Sequence, residues 1–327
     1  IPKNLNRYGN YRTVMTLLAI DFFSLLGLIS TKNHYLIFGF FITSFVSIAL
    51  IGFNIDVFLE SLSSDSKTGR IRGNFLSSSN IAWIIAPLIT GFILTNGDYW
   101  KIFLATALLL LPVFFLIRKN LNHFKDAEYR AVPTASTVVE ILRDKNIRDV
   151  FMVSFLLQFF YSWMIIYTPI YLYTYIGFTW QEIGIMFSVM LLPFVLTEAP
   201  LGRLADTRWG EKEVMSVGFI VMAIATGLIT FIEAKNIMLW MSILFISRIG
   251  ASMVEIMSET YFFKKIDSGK ANIIGMFRTM RPWAYLLGPL FATLLFALNL
   301  QIKYIFIVLA IVMFFGLYWS LELEDTR

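Results

Sequence analysis

The sequence contains no cysteine, which excludes disulfides and thiolate metal sites and leaves the redox compartment open. Histidine is nearly as scarce. His34 and His123 stand far apart in short polar segments, so neither a histidine metal cluster nor a nucleophilic triad is legible. No phosphate-cradling G-x-x-x-x-G-K-[ST] occurs, which argues against ATP drive by this chain. Charge is thin too: 15% of the 327 residues are charged and 57% are hydrophobic. A soluble domain carries about a quarter charged residues, so this chain lacks the polar material to cover a globule.

What is present is apolar bulk. Thirty-two Phe, fourteen Tyr and eight Trp suit lipid and helix–helix contact, and the mean hydropathy is +0.71. A membrane-crossing helix needs about 20 apolar residues. Ten such runs are expected, near 12–30, 36–57, 73–95, 99–117, 149–172, 182–201, 213–232, 237–258, 273–297 and 302–320. The fold class is therefore an all-α polytopic membrane protein. Residues 118–148 interrupt the apolar pattern, reading as a cytoplasmic linker with a short amphipathic helix or as a disordered tether. On that reading 1–117 is an N-terminal half and 149–327 a C-terminal half.

Basic residues set the orientation. With a cytoplasmic N-terminus, twenty Lys and Arg fall in the inner segments and only Lys32, Lys101, Lys235 and Lys303 in the outer loops. Both termini of the chain are thus expected on the cytoplasmic side of an inner or plasma membrane. The net charge of +5 follows from this bias, so no nucleic-acid partner is expected.

The chain also repeats itself. A shift of 202 residues lays Asp65 on Asp267, Gly73 on Gly275, Phe75 on Phe277, Ala82 on Ala284 and Pro87-Leu88 on Pro289-Leu290. Parallel halves related by an axis along the membrane normal are a transporter plan.

Between two apolar runs lies PLGRLADTRWGEKEV, Pro200 to Val214. Gly202 at a helix end lets a neighbouring backbone approach, and Gly210 permits the positive φ of a tight loop. Asp206 is an anion, which the positive end of a helix dipole stabilises. The stretch GRLADTRWGEK resembles the loop signature of the major facilitator superfamily through Gly202, Leu204, Asp206, Gly210 and Lys212, with Arg208 as its basic residue. NRYGNYR, Asn6 to Arg12, resembles the tail of a second copy. The resemblance implies a twelve-helix plan in which the visible spans are the third to the twelfth, with two more helices expected before Ile1. It also implies that Asp206 latches adjacent helices. APLITG, Ala86 to Gly91, is similar to the family's G-P-x-x-G-G element, associated with antiporters, with two departures. A proline kink packed with small residues explains the same stretch.

Ionisable residues inside spans are expensive and face a cavity or a partner. Asp21 lies mid-span, Arg248, Ser252, Glu255 and Glu259 form one stripe, and Arg278 and Arg281 precede Tyr285 on one side of their helix. Asp21, Arg248, Glu255, Glu259 and Arg281 are the candidate coupling or ion-pairing residues. Asn80, Trp83, Gln158, Tyr161, Trp163, Tyr167, Trp283 and Tyr285 are candidate cavity lining. Packing is the competing explanation for each aromatic. The expected function is secondary transport of a small solute by alternating access, led by proton-coupled export of amphiphilic or drug-like compounds. A sugar or metabolite symporter is the alternative, and a non-transporting receptor or scaffold the rival from another class. Protons or another ion are the expected coupling partner, the bilayer the environment, and a monomer the working unit. No cofactor, no metal and no enzymatic centre is expected.

Overall fold

Hydrocarbon offers backbone amides no water, so long apolar segments satisfy their N–H and C=O groups internally as helices. The computed structural model describes residues 9–62, 68–94, 98–124, 134–207, 209–266 and 271–324. It is helical, with no strand among the described residues. In chain order the helices are α1 (Asn10–Ser30), α2 (His34–Leu62), α3 (Thr68–Ile93), α4 (Tyr99–Leu121), α5 (Thr134–Arg143) and α6 (Lys145–Tyr171). There follow α7 (Trp180–Thr207), α8 (Glu211–Ile229), α9 (Ile237–Lys265), α10 (Ala271–Arg278), α11 (Met280–Ala297) and α12 (Ile305–Glu322). A π turn, Leu172–Ile176, extends α6, and a 3-10 turn, Ile302–Tyr304, leads into α12.

Among the described residues, eight helices are long and apolar enough to cross a membrane, where ten spans were expected. Among the described residues, α3 contributes a shorter apolar segment, Ile81–Ile93. The run 273–297 is divided at Thr279 into α10 and α11. That division has a local cause. Pro282 has no N–H to give the Arg278 carbonyl, and its ring crowds that carbonyl, which favours a break here, although α3, α4, α6, α7 and α11 each continue through an internal proline. In the first turn of a new helix the same proline is tolerated. Thr279 Oγ1 donates to the Met276 carbonyl at 2.6 Å where α10 ends.

The chain divides into two units. In the first, Ile1–Ile81 with Phe92–Ala131, α1 packs against α2 and α4. Val14, Leu18, Ile51 and Phe58 form one buried cluster, and Leu25, Leu28 and Ala107 another. Asn10 Nδ2 donates to the Asn54 carbonyl at 3.1 Å, tying α1 to α2.

The second unit, Ala82–Gly91 with Val132–Arg327, has one large core shared by α6, α7, α8, α9, α11 and α12. Side-chain caps start two of these helices. Asp144 Oδ1 accepts from Ile147 N at 3.1 Å, and Asn236 Oδ1 accepts from Met238 N and Leu239 N at 3.0 and 3.2 Å. Phe262 stacks on Phe277 at 3.9 Å, with Phe151 edge-on to both. At one end of the unit, polar groups join four helices. Lys145 pairs with Glu322 at 2.6 Å, Tyr261 Oη donates to Asn146 Oδ1 at 3.0 Å, and Lys264 pairs with buried Glu211.

Candidate functional site

Residues 82–91 of α3 cluster with the second unit, so Trp83 is described together with α6, α7, α9 and α11. The stripe on α9 comes at helical spacing, and Ser252, Glu255 and Glu259 each meet a different helix. Ser252 Oγ lies 2.7 Å from Thr197 Oγ1 of α7. Glu255 Oε2 accepts from Tyr161 Oη of α6 at 2.7 Å. Glu259 accepts two bonds, at 2.5 and 3.1 Å, from the guanidinium of Arg278 on α10.

Arg248 behaves differently. It is 1% exposed, and its guanidinium lies 5.1 Å from the Phe160 ring centre and 5.3 Å from that of Tyr161. Its Nε and Nη2 have no hydrogen-bond partner among the described residues. A buried cation without its full set of bonds is costly, and the aromatic faces return only part of that cost.

Arg281 completes the group. It is exposed, and its guanidinium stands 5.3 Å from the Trp83 ring centre and 5.7 Å from that of Tyr285, to which it also hydrogen-bonds. Tyr285 in turn lies within electrostatic reach of Arg248 and Glu255. Trp83, Tyr161, Arg248, Glu255, Arg281 and Tyr285 thus form one connected cluster. It holds a carboxylate able to exchange a proton and two guanidinium groups able to fix negative charge.

Other predicted residues lie elsewhere. Asp21 is buried in the first unit, where Ser44 Oγ donates to its Oδ1 at 2.5 Å; its Oδ2 has no hydrogen-bond partner among the described residues. Trp163 is a core residue and not an open wall: it is 1% exposed, donates to the Gly288 carbonyl at 2.9 Å and stacks on Phe291. Tyr167 is buried edge-on to Trp163 and Phe296. Gln158 is half-buried on α6. Trp283 is exposed but lies about 200° around α11 from Arg281, away from the cluster. The side chain of Asn80 lies outside the described residues.

Of the loop signature, Gly202, Leu204 and Asp206 fall in the last turns of α7. Their side chains, and Arg208 altogether, lie outside the described residues, as does Asn6–Tyr8 of the other copy. Gly210 is the residue before α8, with φ −78° and ψ 167°. That is extended backbone open to any residue, so the expected positive φ is absent. Lys212, in the first turn of α8, is half-buried.

The glycine of APLITG has a packing task that sequence reasoning assigned only in general terms. A Cβ on Gly91 would lie 2.6 Å from the Trp180 carbonyl oxygen, and one on Gly184 would lie 2.6 Å from that of Pro87. Here α3 and α7 cross backbone to backbone, and Ser188 Oγ adds a 2.7 Å bond to the Ile84 carbonyl. Gly184, Thr197 and Phe160 carried no signal of their own in the sequence. Only the packing of other helices against them gives them a part.

Helices of this length and apolarity make the chain an integral membrane protein. The sequence model of the Major Facilitator Superfamily matches residues 5–190 and, again, 150–327. The chain belongs to that superfamily, a family of membrane transporters. No curated protein sequence matches the chain.

Proposed function

We propose that the chain is a secondary active transporter that moves a small solute by alternating access, coupled to protons through Glu255. One observation carries the coupling: the 2.7 Å bond between Tyr161 Oη and Glu255 beside the incompletely bonded guanidinium of Arg248. A carboxylate whose proton affinity depends on whether a cation is near it meets the need of coupling, because burial raises such an affinity and a cation lowers it. Arg281 is held by Trp83 and Tyr285, and a move toward Glu255 in the other conformation would supply the change. In the same reading α3 and the α10–α11 pair also cross the bilayer, giving ten crossings, and residues 118–148 link the halves on the cytoplasmic side. Asp206 acts as the latch at that face, and the direction of transport is export of amphiphilic compounds.

The test is Glu255→Gln in liposomes. Proton-driven transport is expected to disappear while solute exchange and thermal stability persist. Unfolding of the variant, or transport with the wild-type pH dependence, removes Glu255 from coupling. A receptor or scaffold role would show no flux in the wild-type protein.

A further inference from the structure

Two arginines one turn apart meet opposite fates. Arg278, the last residue of α10, is neutralised by Glu259, to which its guanidinium donates two bonds. Arg281, in the first turn of α11, forms no ion pair among the described residues. A basic residue near a helix end is ordinarily a topology signal whose head snorkels to phosphates. Arg281 is instead laid on aromatic faces from two helices, Trp83 of α3 and Tyr285 of α11. Those two positions are themselves related by the internal shift of 202 residues. Aromatic faces orient a guanidinium without cancelling its charge, and its planar fork keeps N–H donors free for an incoming acceptor.

The remainder of the cluster points the same way. Arg248 adds a second cation, 1% exposed, with Nε and Nη2 lacking any partner among the described residues. Against these two cations the cluster sets one carboxylate among the described residues, Glu255, which accepts from Tyr161. Among the described residues the balance is positive even with Glu255 ionised, and more so when it is protonated. A charge excess within transmembrane helices calls for a counter-charge, and a cationic ligand would add to the excess.

We infer that the solute carries a negative charge: an amphiphilic organic anion whose carboxylate, sulfonate or phosphate pairs with Arg281 while its apolar body lies against Trp83 and Tyr285. This rests on the transporter reading and narrows its solute to one charge class. Guanidinium meets such oxyanions with two parallel bonds, which an ammonium cannot reproduce. Arg281→Lys is therefore expected to recover only part of the preference.

The test uses the full chain in phosphatidylcholine nanodiscs and three ligands sharing one aromatic body: 2-naphthoate, 2-naphthamide and 2-naphthylmethylammonium. Calorimetry should show the anion bound about tenfold or more tighter than the other two, as expected of a charge-assisted pair. Arg281→Gln should bring the three to within about twofold, and Trp83→Ala should weaken all three alike. Equal binding of the three, preference for the ammonium, no binding of the anion, or an unchanged preference in Arg281→Gln overturns the inference. Flux into liposomes separates the two readings. An anion that binds but does not cross removes the transport reading alone, whereas flux of neutral or cationic solutes without anion preference removes this inference alone.

Discussion

The helix α3 and the pair α10–α11 match at several positions under a shift of 202 residues, among them Gly73 with Gly275 and Pro87 with Pro289. One runs unbroken from Thr68 to Ile93, and the other stops at Arg278 and restarts at Met280. Position 80 in the first copy is Asn, whose backbone N–H continues the ladder; its counterpart, 282, is Pro, whose nitrogen cannot. The neighbouring pairs differ as usefully. Ser79 corresponds to Arg281, Trp83 to Tyr285, and Gly91 to Thr293. Gly91 lies in a backbone crossing with α7, whereas Thr293 is exposed and turns its hydroxyl back to the Pro289 carbonyl at 2.8 Å. The two segments thus share a pattern, and single residues decide whether each is whole, charged or crossed.

Exchanging residues between the copies tests this. The largest effect is expected from Asn80→Pro, which places the second copy's breaker in a continuous helix. A proline in a helix interior costs about 3 kcal/mol or more. The variant should lose helicity in α3 and show a clearly lowered midpoint of thermal unfolding in detergent. Wild-type stability would mean that α3 already tolerates a break at this position.

Gly91→Thr comes next. The new Cβ meets the Trp180 carbonyl at 2.6 Å, backbone against backbone, so the helices must separate. Overpacking of this kind costs about 1–3 kcal/mol, to be read from the same unfolding curve. The reverse exchange, Thr293→Gly, creates no clash and should cost only a few tenths of that, set by helix propensity at about 0.5 kcal/mol. Equal effects of the two exchanges would dissolve the distinction between a crossing face and an exposed one.

Pro282→Asn is expected to change overall stability least. It restores an N–H opposite the Arg278 carbonyl, so amide exchange at Met280 to Trp283 should slow as α10 and α11 tend to fuse. Fusion would rotate Arg281 with the new helix. A variant with unchanged exchange would show that something other than the proline holds the break.

Much of this was legible beforehand because the bilayer imposes a crude rule. A long apolar run must be a helix, and the run at 149–172 falls within α6 and its π turn, that at 237–258 within α9. The break at Thr279 was missed, although its signal, Pro282, stood in plain view. Hydropathy averages over a window, whereas a missing N–H acts at one residue. The stripe on α9 was legible from its spacing, yet spacing could not assign its partners. Trp163 and Trp283 looked alike as cavity lining. One is locked to Gly288 in the core and the other faces away from the cluster.

Composition, periodicity and one signature loop determined by themselves that this is a helical membrane protein of a transporter superfamily. Those properties depend on solvent preference and local backbone geometry, which each segment carries alone. Tertiary structure decided which charges are cancelled. Arg278 and Arg281 are the same residue type three positions apart, and only the approach of Glu259 to one and of Trp83 to the other tells them apart. Charge pairing acts over a few ångströms between helices distant in sequence, and no single segment holds that information.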